Sequence, residues 1–198
     1  RDRRMTRVIS YYREHKRLPD GFQSFEQQRS NYKCTLPSED FEKWRSRFHS
    51  NRVLQTVANK NEKLPRVAIL IVEGFLLYFN AELRAQLDVR FFLRISKDLM
   101  QKRRLGRKDY VLNDGSVWTD PPDYFEQVVW PSYVEGNSGL FKNADVIHGA
   151  LQWPLSEQSV DGSPIRNLHL IDTEHLSVSE VCDIACGLLY KQIWLNDA

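Results

Sequence analysis

No apolar run in this sequence approaches the roughly 20 residues that a membrane-spanning helix needs, and no signal-peptide core follows its first residues. A soluble chain is expected. Cysteine is scarce: Cys34, Cys182 and Cys186 are the only three. An odd count without metal-ligand spacing argues against a disulfide framework and fits a reducing, intracellular compartment. The cytoplasm is the expected setting, with mitochondrion and nucleus left open. Charge of one sign is also missing, since 28 Lys and Arg against 26 Asp and Glu leave a net +2 and a pI near 8.4. That balance excludes general polyanion binding, so no direct nucleic-acid contact is expected. What is present is 198 residues, 41% hydrophobic and 12% aromatic, enough for one globular domain with a sizeable core. The opening RDRRMTRVISYYREHKR is arginine-rich, as mitochondrial presequences are, but Asp2 and Glu14 suit an ordinary surface helix.

Met5, Val8, Ile9 and Tyr12 follow helical spacing and predict an amphipathic helix that stops before Pro19-Asp20-Gly21. Ser38 offers an N-cap to a second helix with Phe41, Trp44 and Phe48 on one face. The run Val67 to Val72 is short, continuous and β-branched, which predicts a central strand of parallel type, with a helix over 81–87 beyond it. Residues 88–95 read as another strand, Ser96 as the cap of a helix over 97–110, and 167–172 as a further strand. A closing helix over 177–194 carries Val181, Ile184, Ala185, Leu188 and Leu189 on one apolar face. Strands alternating with helices imply a parallel α/β sheet. Residues 111–163 are read as a long irregular stretch, of the kind that is functional when it occurs inside a compact domain.

The strand Val67 to Val72 ends on Glu73, and ligands of open parallel sheets collect at strand carboxyl ends. A carboxylate there suits Mg²⁺, a hard cation held by one or two carboxylates with phosphate oxygens and water. It also suits a plain helix cap. Lys102-Arg103-Arg104, with Arg107 and Lys108 behind, matches a phosphate clamp through bidentate guanidinium forks, and equally a solvated helix C-terminus. The segments 120–125 and 129–133 combine rigid turns with aromatics that line a pocket or anchor a lid, Trp118, Trp130 and Tyr133 reading as anchors. Cys182 and Cys186 read as core or helix-surface residues, and His148, His169 and His175 form no recognisable triad.

VAILIVEGFLLYFN followed by KRRLGRKDYVLNDGSVWTDPPDYFEQVVWPSYV resembles the nicotinamide riboside kinases, the fungal branch above all, relatives of uridine and pantothenate kinases. The resemblance covers about 64–141 well and the flanking elements in order. It implies a three-layer P-loop NTPase-like fold and transfer of the γ-phosphate of ATP to the 5′-hydroxyl of nicotinamide riboside, giving nicotinamide mononucleotide for NAD synthesis. By the same resemblance, Glu73 would be the carboxylate near Mg²⁺, and Arg103, Arg104 and Arg107 would lie in a lid around 103–125. Tyr110 would cover the nicotinamide ring, a pyridinium over an aromatic face being favourable by roughly 0.5–2 kcal/mol. Asp172 would fall near the adenine.

The departure from the family is one contiguous block. The glycine-rich G-x-x-x-x-G-K-[ST] loop that cradles phosphates occurs nowhere in the 198 residues, and GNSG at 136–139 lacks the Lys-Ser/Thr that would follow. The first strand and the family's early aspartate are missing with it. Phosphoryl transfer rests on positioning and electrostatics, so the chain as written is expected to turn over little ATP. The expectation is a single kinase-like domain over 1–198, N-terminally incomplete. The rival is a non-catalytic pseudokinase serving as a binding or structural subunit, with a protein partner covering an exposed sheet edge. A uridine or pantothenate-type kinase would differ only in the acceptor.

Overall fold

A computed structural model describes residues 2–22, 36–49, 69–106, 110–111, 116–152 and 168–194. The elements are α1 (Asp2–His15), α2 (Ser38–His49), α3 (Ala81–Ala85), β1 (Arg90–Arg94), α4 (Lys97–Leu105), β2 (Tyr110–Val111), β3 (Val117–Trp118), α5 (Trp130–Asn137), β4 (Leu168–Asp172) and α6 (Val178–Trp194). Backbone proximity divides the chain into two compact units, Arg1–Arg29 with Val72–Glu174, and Ser30–Ile71 with His175–Ala198.

The first unit is α/β, built on a parallel pair. β1 and β4 run in step, Arg90 opposite Leu168 through Arg94 opposite Asp172, as the alternation of strands and helices predicts. Tyr78, Phe92, Tyr133, Leu140, Phe141 and Val146 form the buried core, with Leu168 and Leu170 of β4 packed against it. Val8 and Ile9, the inner pair of the expected α1 face, are buried as well. Polar groups entering this interior are matched. The Tyr78 hydroxyl donates to Phe91 O at 2.8 Å, and burial pushes its pKa up to about 12. Arg90, only 2% exposed, donates through Nε and Nη2 to Arg84 O at the end of α3. That carbonyl also accepts from Leu87 N–H at 3.1 Å, so both of its lone pairs are used at the helix end.

The stretch expected to be irregular holds real structure. Tyr110 pairs with Trp118 and Val111 with Val117 in a small antiparallel hairpin, and a π-helical turn, Phe125–Val129, leads directly into α5. Pro131 sits in the first turn of α5. It has no N–H for the carbonyl four residues back, and its ring presses on that carbonyl. The preceding turn is widened, with Trp130 N–H reaching back five residues to Phe125 O. A proline-based reading of the sequence stops at such a residue, whereas the chain absorbs it. The helix after Ser96 is shorter than its spacing predicts, ending on Gly106 after one N-cap bond from Leu99 N–H to Ser96 Oγ.

The run ahead of Glu73 differs more. Its first two residues, 67 and 68, lie outside the described set, and 69–72 belong to neither sheet. Ile69 is 54% and Ile71 86% exposed. An unbroken β-branched run reports burial potential, but a strand also needs a neighbouring backbone in register. Among the described residues β1 and β4 take each other as that neighbour.

In the second unit α2 and α6 pack together. Trp44 is buried, and its Nε1–H donates to Asp183 Oδ1 at 2.5 Å, while Arg47 lies over the Trp44 and Tyr190 rings at 5.2 and 4.8 Å. A methyl on Gly187 would stand 3.6 Å from the Trp44 ring. The α2-facing side of α6 thus carries Asp183, Gly187 and Tyr190. Ile184 of the expected apolar face, and Phe41 of α2, are instead exposed. Ser177 and Glu180 form a reciprocal capping box at the start of α6, which the Ser-x-x-Glu pattern encodes directly.

Candidate functional site

Two clusters of polar side chains gather around the β1–β4 pair and the segment that follows it. The first sits at the carboxyl ends of both strands. Arg94 donates from Nε to Asp172 Oδ1 at 2.5 Å and from Nη2 to Asp172 Oδ2 at 3.0 Å. Its Nη1 donates to Gly149 O at 2.7 Å, and its guanidinium lies 5.6 Å from the Phe141 ring centre. The in-step register makes this possible by placing the two residues opposite each other. Hydrogen bonding to Asp172 raises the Arg94 pKa further above its already high value. Beside it, Thr173 N–H and Oγ1–H both donate to Arg94 O, and the Glu174 carboxylate accepts from Ser96 N–H and Oγ–H, each at 2.8 Å. Asp172, expected near an adenine, stands at the predicted strand end with both oxygens engaged by Arg94.

The second cluster begins at the last turn of α4. Arg104 donates from Nε to Asp120 Oδ2 at 2.5 Å and from Nη2 to Asp120 Oδ1 at 3.0 Å. Trp118 Nε1–H adds a third donor to Asp120 Oδ1 at 3.0 Å. Arg104 lies 5.7 Å from the Tyr124 ring centre, and Tyr124 meets Trp118 edge-on at 6.0 Å. The local sequence explains the return of the chain. Tyr124 N–H bonds to Pro121 O, Pro122 supplies the fixed φ of the turn, and Asp123 takes a left-handed φ of 59°, as the third residue of a type II turn must. Hydrogen bonding to Arg104 holds the Asp120 carboxyl below the usual carboxylate range.

The other expected site residues are placed as follows. Glu73 is exposed in the loop before the turn at 75–78 and makes no hydrogen bond or ion pair among the described residues. Arg103 is exposed on α4. Tyr110 begins β2. Arg107 lies outside the described residues. Glu73 and Arg103 are not brought into contact. Tyr133, read as an anchor, is buried and stacked on Trp130 at 5.4 Å, with its pKa pushed up to about 12 by burial. Sequence reasoning missed Arg94, whose signal was a basic residue ending a strand opposite an acidic one. It also missed Asp120 as a partner for Arg104, which no spacing rule for helices or strands links. No group of three His, Cys, Asp or Glu stands together as a metal site among the described residues. None of the described helices is long and apolar enough to cross a membrane.

Comparison with curated proteins gives a consistent answer. A nicotinamide riboside kinase of Schizosaccharomyces pombe is 44% identical over 113 residues, 57% of this chain and 46% of that protein. The chain is related to the nicotinamide riboside kinases. One from Saccharomyces cerevisiae is 33% identical over 104 residues, 51% of this chain and 43% of its own length. One from Eremothecium gossypii is 38% identical over 78 residues, 39% of this chain and 32% of its own. The chain therefore spans about half, or less, of the length of the curated relatives it matches. No family model matches it, and no solved structure does. The likeness read from VAILIVEGFLLYFN and the KRRLGRKDY segment is borne out at the level of the family.

Proposed function

We propose that this chain carries part of an ATP-dependent nicotinamide riboside kinase, a single P-loop NTPase-like domain over 1–198 with its lid around 103–125. The observation that carries the reading is the 44% identity to a protein of that name. The structure supports it with a parallel strand pair whose connecting segment carries a basic helix end and an aromatic hairpin. In this reading Arg103, Arg104 and Arg107 belong to the lid that closes over the phosphates, Tyr110 covers the nicotinamide ring and Asp172 lies towards the adenine. Transfer of the γ-phosphoryl group to the 5′-hydroxyl yields nicotinamide mononucleotide and ADP, a step towards NAD. The expected setting is cytoplasmic and the substrate a free nucleoside.

ATP with Mg²⁺ is the co-substrate implied. Glu73 fits the metal: its carboxylate is exposed and has no competing partner among the described residues, and one such group with phosphate oxygens and water is the usual donor set. When bound, the ion would neutralise charge on the phosphates. Asp172 would hold an adenine by accepting from its amino group only beside the Arg94 contacts it already makes.

A second reading turns on the phosphate cradle, whose G-x-x-x-x-G-K-[ST] sequence does not occur within these 198 residues. Without a phosphate cradle these residues would form a non-catalytic pseudokinase that binds a partner. Turnover of nicotinamide riboside with Mg-ATP separates the two. The 198 residues alone should show negligible product, and the same residues supplied with an upstream P-loop segment should be active and lose that activity in Glu73→Gln. A product rate from the 198 residues typical of kinases, about 1–100 per second, would refute the dependence on the loop.

A further inference from the structure

The lid as proposed carries adjacent arginines at the end of α4, and the structure treats them differently. Arg104 is bound through Nε and Nη2 to Asp120, and both side chains are partly shielded, 24% and 18% exposed. Arg103, one residue earlier and about 100° around the helix, is exposed and makes no ion pair among the described residues. A fork–fork pair shielded from water has a fixed geometry and is costly to open, because each partner would be left as a poorly solvated charge. Asp120 is also the acceptor of Trp118 Nε1–H, and Trp118 is the register partner of Tyr110. Arg104, Asp120, Trp118 and Tyr124 close a ring of contacts, so one carboxylate connects the end of α4 to the strand that begins with Tyr110.

We propose that Asp120 is the positioning residue of the lid: it holds Arg104 as its counter-ion, fixes the Tyr110 strand through Trp118, and leaves Arg103 as the arginine presented to phosphate. This rests on the kinase reading for what the lid covers, but the pin itself is a property of the fold. It divides an arginine cluster that sequence treats as equivalent into one structural and one ligand-facing member. Asp120 touches no reacting atom in this scheme. Its effect passes through the hairpin.

The test uses the whole 198-residue chain, ¹⁵N-labelled, with inorganic pyrophosphate as the probe. Asp120→Asn and Arg104→Gln should each shift the Trp118 indole N–H resonance, assigned by its loss in Trp118→Phe. Both should also move the amides of Tyr110, Val111, Val117 and Trp118 towards random-coil positions while those of β4 and α5 stay in place. Arg103→Gln should leave all of these unmoved yet weaken pyrophosphate binding tenfold or more, and Arg104→Lys should restore part of the hairpin signal. Hairpin resonances that ignore both Asp120→Asn and Arg104→Gln would overturn the pin. An Arg104→Gln loss of pyrophosphate affinity equal to that of Arg103→Gln, with the hairpin intact, would overturn the division of roles. A wild-type chain that binds no pyrophosphate while its hairpin responds as expected would count against the phosphate-binding reading and for the pin.

Discussion

Arg94→Met should destabilise the first unit far more than Asp172→Asn, although the two residues form one ion pair. The difference lies in which partner is shielded: the Arg94 side chain is 11% exposed and that of Asp172 62%. In Arg94→Met the freed Asp172 carboxylate returns to water, and in Asp172→Asn the amide oxygen can still accept from Arg94 while Gly149 O and the Phe141 ring keep hold of the guanidinium, so the ion pair itself is worth only about 0.2–1 kcal/mol after screening. Removing Arg94 also strips Gly149 O of its charged donor, about 1.5–3 kcal/mol, and the Phe141 ring of a cation, about 0.5–1 kcal/mol. With the ion pair these give about 2–5 kcal/mol for Arg94→Met and under about 1 for Asp172→Asn. The assay is hydrogen exchange at the Thr173 amide, which donates to Arg94 O at 2.8 Å and so reports opening of the strand pair at this point. At about 1.4 kcal/mol per tenfold, exchange should quicken by roughly 30- to 4,000-fold in Arg94→Met and by less than about sixfold in Asp172→Asn. Equal acceleration in both variants would refute the argument from shielding. An Arg94→Met effect below about threefold would show that Gly149 O finds another donor.

The remaining predictions concern one titration and two glycines. His169 Nε2 is buried without a hydrogen-bond partner among the described residues, and burial lowers its pKa below the ordinary 6.5. The unfolded chain then binds the proton more readily than the folded one, so this contribution is complete above pH 6.5 and lost as pH falls towards the depressed value. Urea midpoints measured between pH 7.5 and 5 should fall less in His169→Phe than in the wild type, and parallel pH profiles would exclude His169 as a source. Gly149→Ala would place Cβ 2.3 Å from Asp145 O and 2.9 Å from Lys142 O, backbone atoms that cannot step aside, so a loss of about 1–3 kcal/mol is expected. Gly136→Ala meets only the tip of Leu76, at 2.6 Å, and gains about 0.8–1 kcal/mol of helix propensity. It should lie within about 1 kcal/mol of the wild type in thermal unfolding, and equal losses at the two glycines would contradict the distinction between side-chain and backbone neighbours.

What the sequence made legible was local. Helical spacing at Val8 and Ile9 and the short apolar stretches of β1 and β4 are each encoded within a few neighbouring residues and appear where expected, and the Ser-x-x-Glu box of α6 is just as local. What it concealed depends on distant partners. Val67 to Val72 announces burial, yet no local pattern says which backbone should pair with it. Arg104 reads as one basic residue among five, and Asp120, sixteen positions on, decides its company. Similarly, a helix face is read from hydrophobicity, whereas α2 and α6 meet through Trp44, Asp183 and a glycine, a contact made by hydrogen bonding and close approach. Residues 129–133, read as a rigid turn, lie instead at the end of the π turn and in the first turns of α5, where Pro131 is accommodated by the widened turn before it.

That widened turn at Phe125–Val129 works as a phase setter. A π turn holds one residue more than the hydrogen bonds of an α-helix enclose, and each added residue rotates everything beyond it by about 100°. The rotation decides that Tyr133 and Asn137, four apart and both buried, look inwards, with Asn137 Nδ2–H donating to Tyr133 O at 2.9 Å. Insertion or loss of one residue ahead of Trp130 would therefore be judged by angle and not by length. A chain drifting over generations could change residues freely on the outer side of this segment, yet could alter its residue count only by reshaping the turn itself.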